Sequence, residues 1–570
     1  MSGRTQQHSS WRFHVVWLAL VLLGCVLAWR IVMLQIVDRG FLQAQGDARA
    51  IRTVSTRATR GVIFDRYGEP LAVSTPVVSI WANPKQVLAS NADLSSLAKS
   101  LGMPMAVLEK KIHSKANKGF MYLKRQLPPA AAEKILALKY KGIYRERDYK
   151  RYYPSGEIAG HLVGFTGLDG AGQEGLELAF DKHLQSVDGS KQILKDLYGN
   201  TIKELKQITE SAAGKDLQLS IDLRMQYSAY KTLKEAVAKA DAQAGSIVLM
   251  DVQTGEVLAL ASQPAFNPNN RSQLKLASLR NRAITDAFEP GSTVKPFTIL
   301  AALESGKYKP ETIVDTNPGY IRVGRKTLHD HNNNGPISVS EIIMKSSQVG
   351  ITKVALSIEP DAMREAFQRV GLGQSPGTGF PGEGVGVVPS RAKWLDIERA
   401  TFAYGYGLSV TALQLAQAYQ VIAADGVMRR ATLLKQNGPV IEEQIVDPQI
   451  AQQLQQMLAK VMQAGGTAAS SKTVGFSLAG KTGTAHKIGK YGYQEDKYRS
   501  LFAGMAPAIN PKVVGVVVIE DPKGGRYYGG EIAAPVFAGV MGDILPLLNT
   551  RPDILDKFAA KPKQLEGSNG

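Results

Sequence analysis

From Val15 to Leu34 the chain runs twenty residues with a single charge, Arg30. Such a run is long enough to cross a ~30 Å hydrocarbon core as a helix, which makes it a candidate membrane span that any fold has to accommodate. Arg30 lies near the outer end, where a long side chain can snorkel, and Trp11, Trp17 and Trp29 suit the interfaces. Arg4 and Arg12 precede the span and favour a cytoplasmic N-terminus. The expectation is a cytoplasmic tail over 1–14, a membrane helix over 15–36, and everything from 37 onward outside the cytoplasm. No small-x-small cleavage site follows the apolar run, which argues against a removed signal peptide. Cys25 is the only cysteine. The external part therefore has no disulfide and no cysteine-based metal site. With 570 residues, 44% hydrophobic and 21% charged, it is large enough for two or three domains held by burial and hydrogen bonding.

The motif STVK at 292–295 sets a serine and a lysine three residues apart, on one face of any helix that begins there. A serine hydroxyl needs a neighbouring base, and a lysine serves as one only when neutral, against an ordinary pKa of ~10.4. A second cation at about 4 Å, with an effective dielectric near 20, would repel by roughly 4 kcal/mol, about three pKa units. Lys481, in KTGT at 481–484, is the candidate. Pro290-Gly291 is turn-forming, Ser292 suits an N-cap, Pro296 falls in the tolerant first turn and Gly306 marks the helix end. The dipole at such a helix start favours an oxyanion near Ser292.

SxxK also occurs at Ser96/Lys99 and Ser272/Lys275, where it reads as a solvated helix face, but KTG occurs once. KTGT precedes two alternating apolar runs separated by Asn510-Pro511, which places it on a sheet, with small residues that let a substrate backbone approach. Upstream, 245–262 reads as a hairpin turning at Asp251 to Gly255, after a strand and an amphipathic helix over 217–240. Thr411 and Gln414 form a capping-box pair, which leaves Tyr404 and Tyr406 in the loop ahead of that helix, suited equally to core or groove.

The two motifs in this order, with SSQ at 346–348 between them, resemble the penicillin-binding protein and serine β-lactamase superfamily. The resemblance implies that Ser292 is the acylated nucleophile, Lys295 its base and Ser346 a proton relay. Lys481 would bind the substrate carboxylate with Thr482, Gly483 and Thr484 beside it. The amides of Ser292 and Thr484 would form the oxyanion hole, and Tyr404, Tyr406 and Tyr528 would wall the groove. Gln348 departs from the family's SxN pattern, yet keeps the same amide one methylene further out, and is expected still to contact Lys295 and the substrate.

The segments 60–72 and 151–181 resemble the non-catalytic pedestal of class B penicillin-binding proteins, with Arg60, Asp65, Arg66, Glu174 and Glu177 expected to pair with one another. ASQPAFNPNN, GFPGE and AYGYGLSVTALQLA resemble the division-specific members. The implied fold is α+β: a membrane helix, an elongated mixed pedestal over 37–215, a penicillin-binding/serine β-lactamase-like transpeptidase domain over 216–548 with an antiparallel sheet flanked by helices, and a flexible tail over 549–570. The implied activity is D,D-transpeptidation of peptidoglycan stem peptides ending in D-Ala-D-Ala, at the septum, with acylation by β-lactams. No metal or organic cofactor is required. With no glycosyltransferase segment of its own, the chain is expected to work with a membrane glycosyltransferase of the FtsW type and other divisome proteins, in the bacterial inner membrane with its catalytic domain periplasmic. A net charge of +18 would first suggest nucleic acid, but the membrane span favours anionic lipid and wall polymer instead. The alternatives are an elongation-type transpeptidase, a D,D-carboxypeptidase or β-lactamase, and a non-catalytic β-lactam sensor or divisome scaffold.

Overall fold

The computed structural model describes residues 10–195, 201–272, 274–489 and 492–554. The first nine residues and those after 554, on which most of the expected tails fall, lie outside the described residues. The chain packs as two compact units.

One unit comprises the chain up to Thr59 together with Ser186–Gly214. Its apolar helix Ser10–Val32 continues through a π turn at Met33–Val37. Trp11–Val37 has mean hydropathy 2.4 with none of it buried, so it is long and apolar enough to cross a membrane and has no protein core of its own to enter. A second helix, Arg39–Ala50, leads into a three-stranded antiparallel sheet of Ile51–Thr56, Gly189–Lys195 and Thr201–Thr209.

The other unit holds Arg60–Gln185 and everything from Lys215. Its first sheet consists of β1 (Ile63–Phe64), β2 (Pro70–Ala82), β3 (Met121–Leu127), β4 (Ile143–Tyr152) and β5 (Leu217–Gln218), in the order β5-β1-β2-β3 with β4 also on β2. The β1–β2 turn falls at Tyr67-Gly68, as the glycine predicts. A small core around Ile80, Leu97, Leu108, Ile112 and Ile135 fills one end, while Ile63, Leu71 and Leu162 join the main core.

The five charges expected to pair among themselves do so only in part. Glu177, fully buried, accepts from Arg60 Nε at 2.7 Å and from Arg151 Nε at 2.6 Å. Arg66 instead reaches Glu256 at 2.9 Å, and Asp65 accepts from the amides of Tyr67 and Glu69, each at 2.8 Å. Glu174 is half-buried, which raises its pKa. Backbone amides satisfied Asp65 because it heads a tight turn, where short carboxylates bond two residues on.

After β5 comes α1 (Leu223–Lys239), capped by the Asp222 carboxylate, and then the hairpin of β6 (Ala244–Asp251) and β7 (Val257–Gln263). The sheet is completed from far downstream by β8 (Ala479–Gly489), β9 (Gly492–Ala506) and β10 (Val513–Glu520), in the antiparallel order β7-β6-β10-β9-β8. Every residue of β10 is buried, so helices cover both faces. Four further helices matter for the site: α2 (Lys295–Glu304), α3 (Val339–Lys345), α4 (Gln348–Ser357) and α5 (Ala412–Ala423). The capping box of Thr411 with Gln414 starts α5 where the sequence places it. The last helix, α6 (Gly529–Ile544), is apolar and packs on β9, β10 and α1 as a core element. β8, with KTGT, lies at the sheet's edge.

Candidate active site

Ser292 is not an N-cap. Gly291 adopts φ +53, so the chain turns one residue early and Ser292 lies within a 3₁₀ turn, Gly291–Val294, that runs into α2. Its hydroxyl is thereby free of capping duty; none of the hydrogen bonds among the described residues uses it, and it faces a cleft of about 1090 Å³. The turn is pinned from several sides. Tyr419, buried on α5, donates to the carbonyl of Thr293 at 2.7 Å. A Cβ on Gly291 would stand 3.3 Å from the Thr484 carbonyl, and one on Gly405 only 2.2 Å from the Gly291 carbonyl. Backbone therefore packs directly on backbone beneath the serine.

Lys295 is 1% exposed, and its Nζ donates to the Ser346 carbonyl at 2.6 Å, Ser346 Oγ at 3.2 Å and the Ser347 carbonyl at 3.3 Å. Burial pushes its ammonium down to about 7, opposed by the Asp330 carboxylate. Lys481 is fully buried on β8 with its Nζ on the Thr482 carbonyl at 3.1 Å, and is held well below the ordinary lysine range, first by burial and then by repulsion from Lys295. The sequence argument gave repulsion the leading role for Lys295. Desolvation leads instead, because both ammoniums sit in low-dielectric surroundings where the charged form is disfavoured. Lys481 also lies behind the cleft wall, while Thr482, Gly483 and Thr484 line it.

The acceptors for Lys295 come from an unusual turn. α3 opens with a capping box, Ser338 with Glu341, and ends at Ser346 in the left-handed region, φ +57. For a non-glycine residue that conformation is uncommon and needs support. Support comes from Asp330, after the hairpin strand Lys326–His329: Oδ2 accepts from Ser347 Oγ at 2.6 Å, and Oδ1 from the amides of Gln348 and Val349. The Gln348 side chain turns toward the Tyr404 hydroxyl, whereas all three hydrogen bonds of Lys295 go to Ser346 and Ser347.

On the facing wall, Thr482 Oγ1 and Thr467 Oγ1 are 2.7 Å apart, and Thr484 Oγ1 accepts from the Gly529 amide at 3.2 Å. Tyr404 is 5% exposed, with burial raising its phenol to about 12, so it is core that also lines the cleft. Tyr406 packs edge-on to Tyr404 at 5.7 Å. Tyr528 forms the rim with Tyr527, which stacks on Tyr498 at 4.0 Å. Every residue singled out from the sequence except Lys481 lines this one cleft, and Lys481 stands behind its wall. Sequence reasoning missed Asp330, Thr467, Tyr498 and Tyr527. The polar stretch HDHNNNG at 329–335 was the available signal for Asp330; Thr467 had none beyond its glycines. A buried amine whose ammonium is pushed down to about 7, hydrogen-bonded to the Ser346 hydroxyl and lining one cleft with Ser292, is equipped for proton transfer during acyl transfer.

Comparison with known proteins agrees. The Penicillin-binding Protein dimerisation domain matches residues 55–219 and the Penicillin binding protein transpeptidase domain residues 245–542. The chain is 41% identical over 564 residues to the probable peptidoglycan D,D-transpeptidase PbpC of Pseudomonas aeruginosa, covering 99% of this chain and 100% of that protein. It is 40% identical over 578 residues to peptidoglycan D,D-transpeptidase FtsI of Escherichia coli K12, covering 100% and 98%. Penicillin binding protein 3 from Mycobacterium tuberculosis, solved in complex with aztreonam, superposes with TM-score 0.68 at 27% identity, over 88% of this chain and 98% of that one.

Proposed function

The chain belongs to the penicillin-binding protein transpeptidase family, and from that premise we propose that it cross-links peptidoglycan stem peptides at the division septum through an acyl-enzyme on Ser292. It is an enzyme of the peptidoglycan D,D-transpeptidase class. The observation that carries the residue assignment is the buried Lys295 amine, pushed down to about 7 on the turn that follows Ser292.

Neutral Lys295 takes the proton from Ser292 Oγ as that oxygen attacks the penultimate D-Ala carbonyl, forming the ester bond. The amides of Ser292 and Thr484 stabilise the oxyanion. The C–N bond breaks, and the leaving D-Ala amine receives the proton through Ser346 Oγ, 3.2 Å from Lys295 Nζ. An acceptor amine from a second stem then attacks the ester and gives up its proton along the same route. The C–O bond breaks and Ser292 regains its hydroxyl. Thr482 and Thr484 meet the substrate carboxylate at the cleft surface, with Lys481 behind them. The edge of β8 accepts the substrate backbone as a further strand, between walls formed by Gly483, Gln348, Tyr404, Tyr406 and Tyr528. β-Lactams acylate Ser292 as mimics of the same peptide.

The finer reading places the pedestal over 37–215, the transpeptidase domain over 216–548, the N-terminus in the cytoplasm and the catalytic domain in the periplasm. It pairs the chain with an FtsW-type membrane glycosyltransferase and other divisome proteins. The apolar N-terminal helix supports membrane anchoring.

The test is peptide mass spectrometry after penicillin exposure. A stable adduct confined to the peptide holding Ser292, and lost in Ser292→Ala, is expected; an adduct elsewhere, or none, overturns the assignment.

A further inference from the structure

Lys295 is held by a turn that its own helix does not build. Its acceptors are two carbonyls and a hydroxyl of Ser346 and Ser347, and Ser346 sits in the left-handed conformation between two helices. Left to local preference, that turn would relax. One carboxylate ties it down. Asp330 takes Ser347 Oγ at 2.6 Å, the Val349 amide at 3.0 Å, the Gln348 amide, and the Asn334 amide nitrogen at 3.1 Å. It thereby occupies the start of the ten-residue helix α4, where free amides and the helix dipole favour an anion. Ser347 Oγ, held this way, accepts in turn from the Gly350 amide at 2.9 Å.

We propose that Asp330 is the positioning residue of the middle motif: its carboxylate locks the Ser346–Ser347 turn against Lys295 and sets a negative charge behind that turn. This rests on the acyl-transfer reading above. The charged and titratable groups around Lys295 are few. Lys481 faces it from β8, Ser346 from the α3–α4 turn and Asp330 from the loop after the hairpin. Tyr404, Tyr406, Tyr498, Tyr527 and Tyr528, His329, His331 and His486, Lys345 and the carboxylate of Glu531 line the same cleft. Asp330 is the group that opposes desolvation of the ammonium. It thus has two separable effects, one of shape and one of charge.

Both are read by the rate at which the full-length protein in detergent is acylated by a fluorescent penicillin, measured across pH. Asp330→Asn keeps the size and removes the charge. Its plateau rate should fall about tenfold or more, and the acid limb of its profile should move to lower pH, because the amine then loses its proton more readily. Asp330→Glu keeps the charge on a longer arm. Its plateau should fall while the acid limb stays at the wild-type position. A purely structural residue would lower both plateaus and move neither limb, and that result overturns the proposal, as does a wild-type plateau in Asp330→Glu. If Asp330→Asn does not fold, Asp330→Ser takes its place as the neutral variant: its acid limb should move to lower pH, and a limb at the wild-type position overturns the proposal. Failure of the wild-type protein to form any Ser292 adduct is a different outcome, which removes the acyl-transfer reading itself.

Discussion

At the scale of single residues, the proposed chemistry turns on a lysine whose ammonium burial pushes down to about 7. If neutral Lys295 is the base, acylation of the wild-type protein should rise with pH through a midpoint near 7, and Lys295→Arg should lower the rate by about 10²–10⁴-fold. The same burial costs stability. The folded lysine releases its proton near 7 and the unfolded one near ~10.4; between those values the unfolded chain holds the proton more tightly, so stability rises with pH across the window and the full cost is present below it. Lys295→Met should therefore raise the melting temperature most at pH below 7, by an increment that shrinks as pH climbs toward 10. A constant increment at all pH values would mean that packing, not charge, governs this position. Ser292 and Lys295 stood out by their spacing on one helix and Lys481 as the candidate second cation, whereas Ser346 came only from the resemblance of SSQ to the family's middle motif. Asp330 was not legible, since its contacts come from a loop and a helix start that only folding brings together.

Among the elements, the nucleophile turn depends on glycines that no chemistry-bearing motif reveals. Gly405, at φ +91, packs its α-carbon against the carbonyl of Gly291. Gly405→Ala should destabilise the protein by at least about 2 kcal/mol and slow acylation as well, since the displaced backbone carries Ser292; calorimetry together with acylation kinetics checks this. Helix boundaries were readable wherever a cap stood in the sequence, as at Thr411 with Gln414 and at the Ser305-Gly306 stop of α2. They failed by a residue at Ser292, where the left-handed glycine before it had as much say as the N-cap preference of serine. The gathering of strands from both ends of the domain was also legible, because hairpin signals flank KTGT and STVK alike, while the order of strands in the sheet was not.

For the molecule as a whole, a net charge of +18 is spread over a chain whose first fourteen residues contain only Arg4 and Arg12 as fixed charges. The intact protein in detergent should sediment with purified peptidoglycan, and binding should weaken as salt rises from about 50 mM to about 500 mM. Binding that ignores salt would assign the excess charge to solubility alone. The membrane helix was plain from composition, since twenty residues with one charge have few other fates in a folded protein. The division of the remainder was less so, because Arg60–Gln185 shares its core with the later sheet, and a shared core leaves no mark on the sequence of either part.

β8 borders the site at the edge of its sheet, with no strand on its outer side among the described residues. A strand in that position recognises what all peptides have in common, the repeating amide links, and is nearly blind to what hangs from them. On the proposed reading, an antibiotic that imitates one such link would be accepted on the same terms as the polymer to be joined. Mutations along this border that turned the drug away would turn the growing wall away as well, so resistance has to be sought in the residues around it, where imitation and original differ.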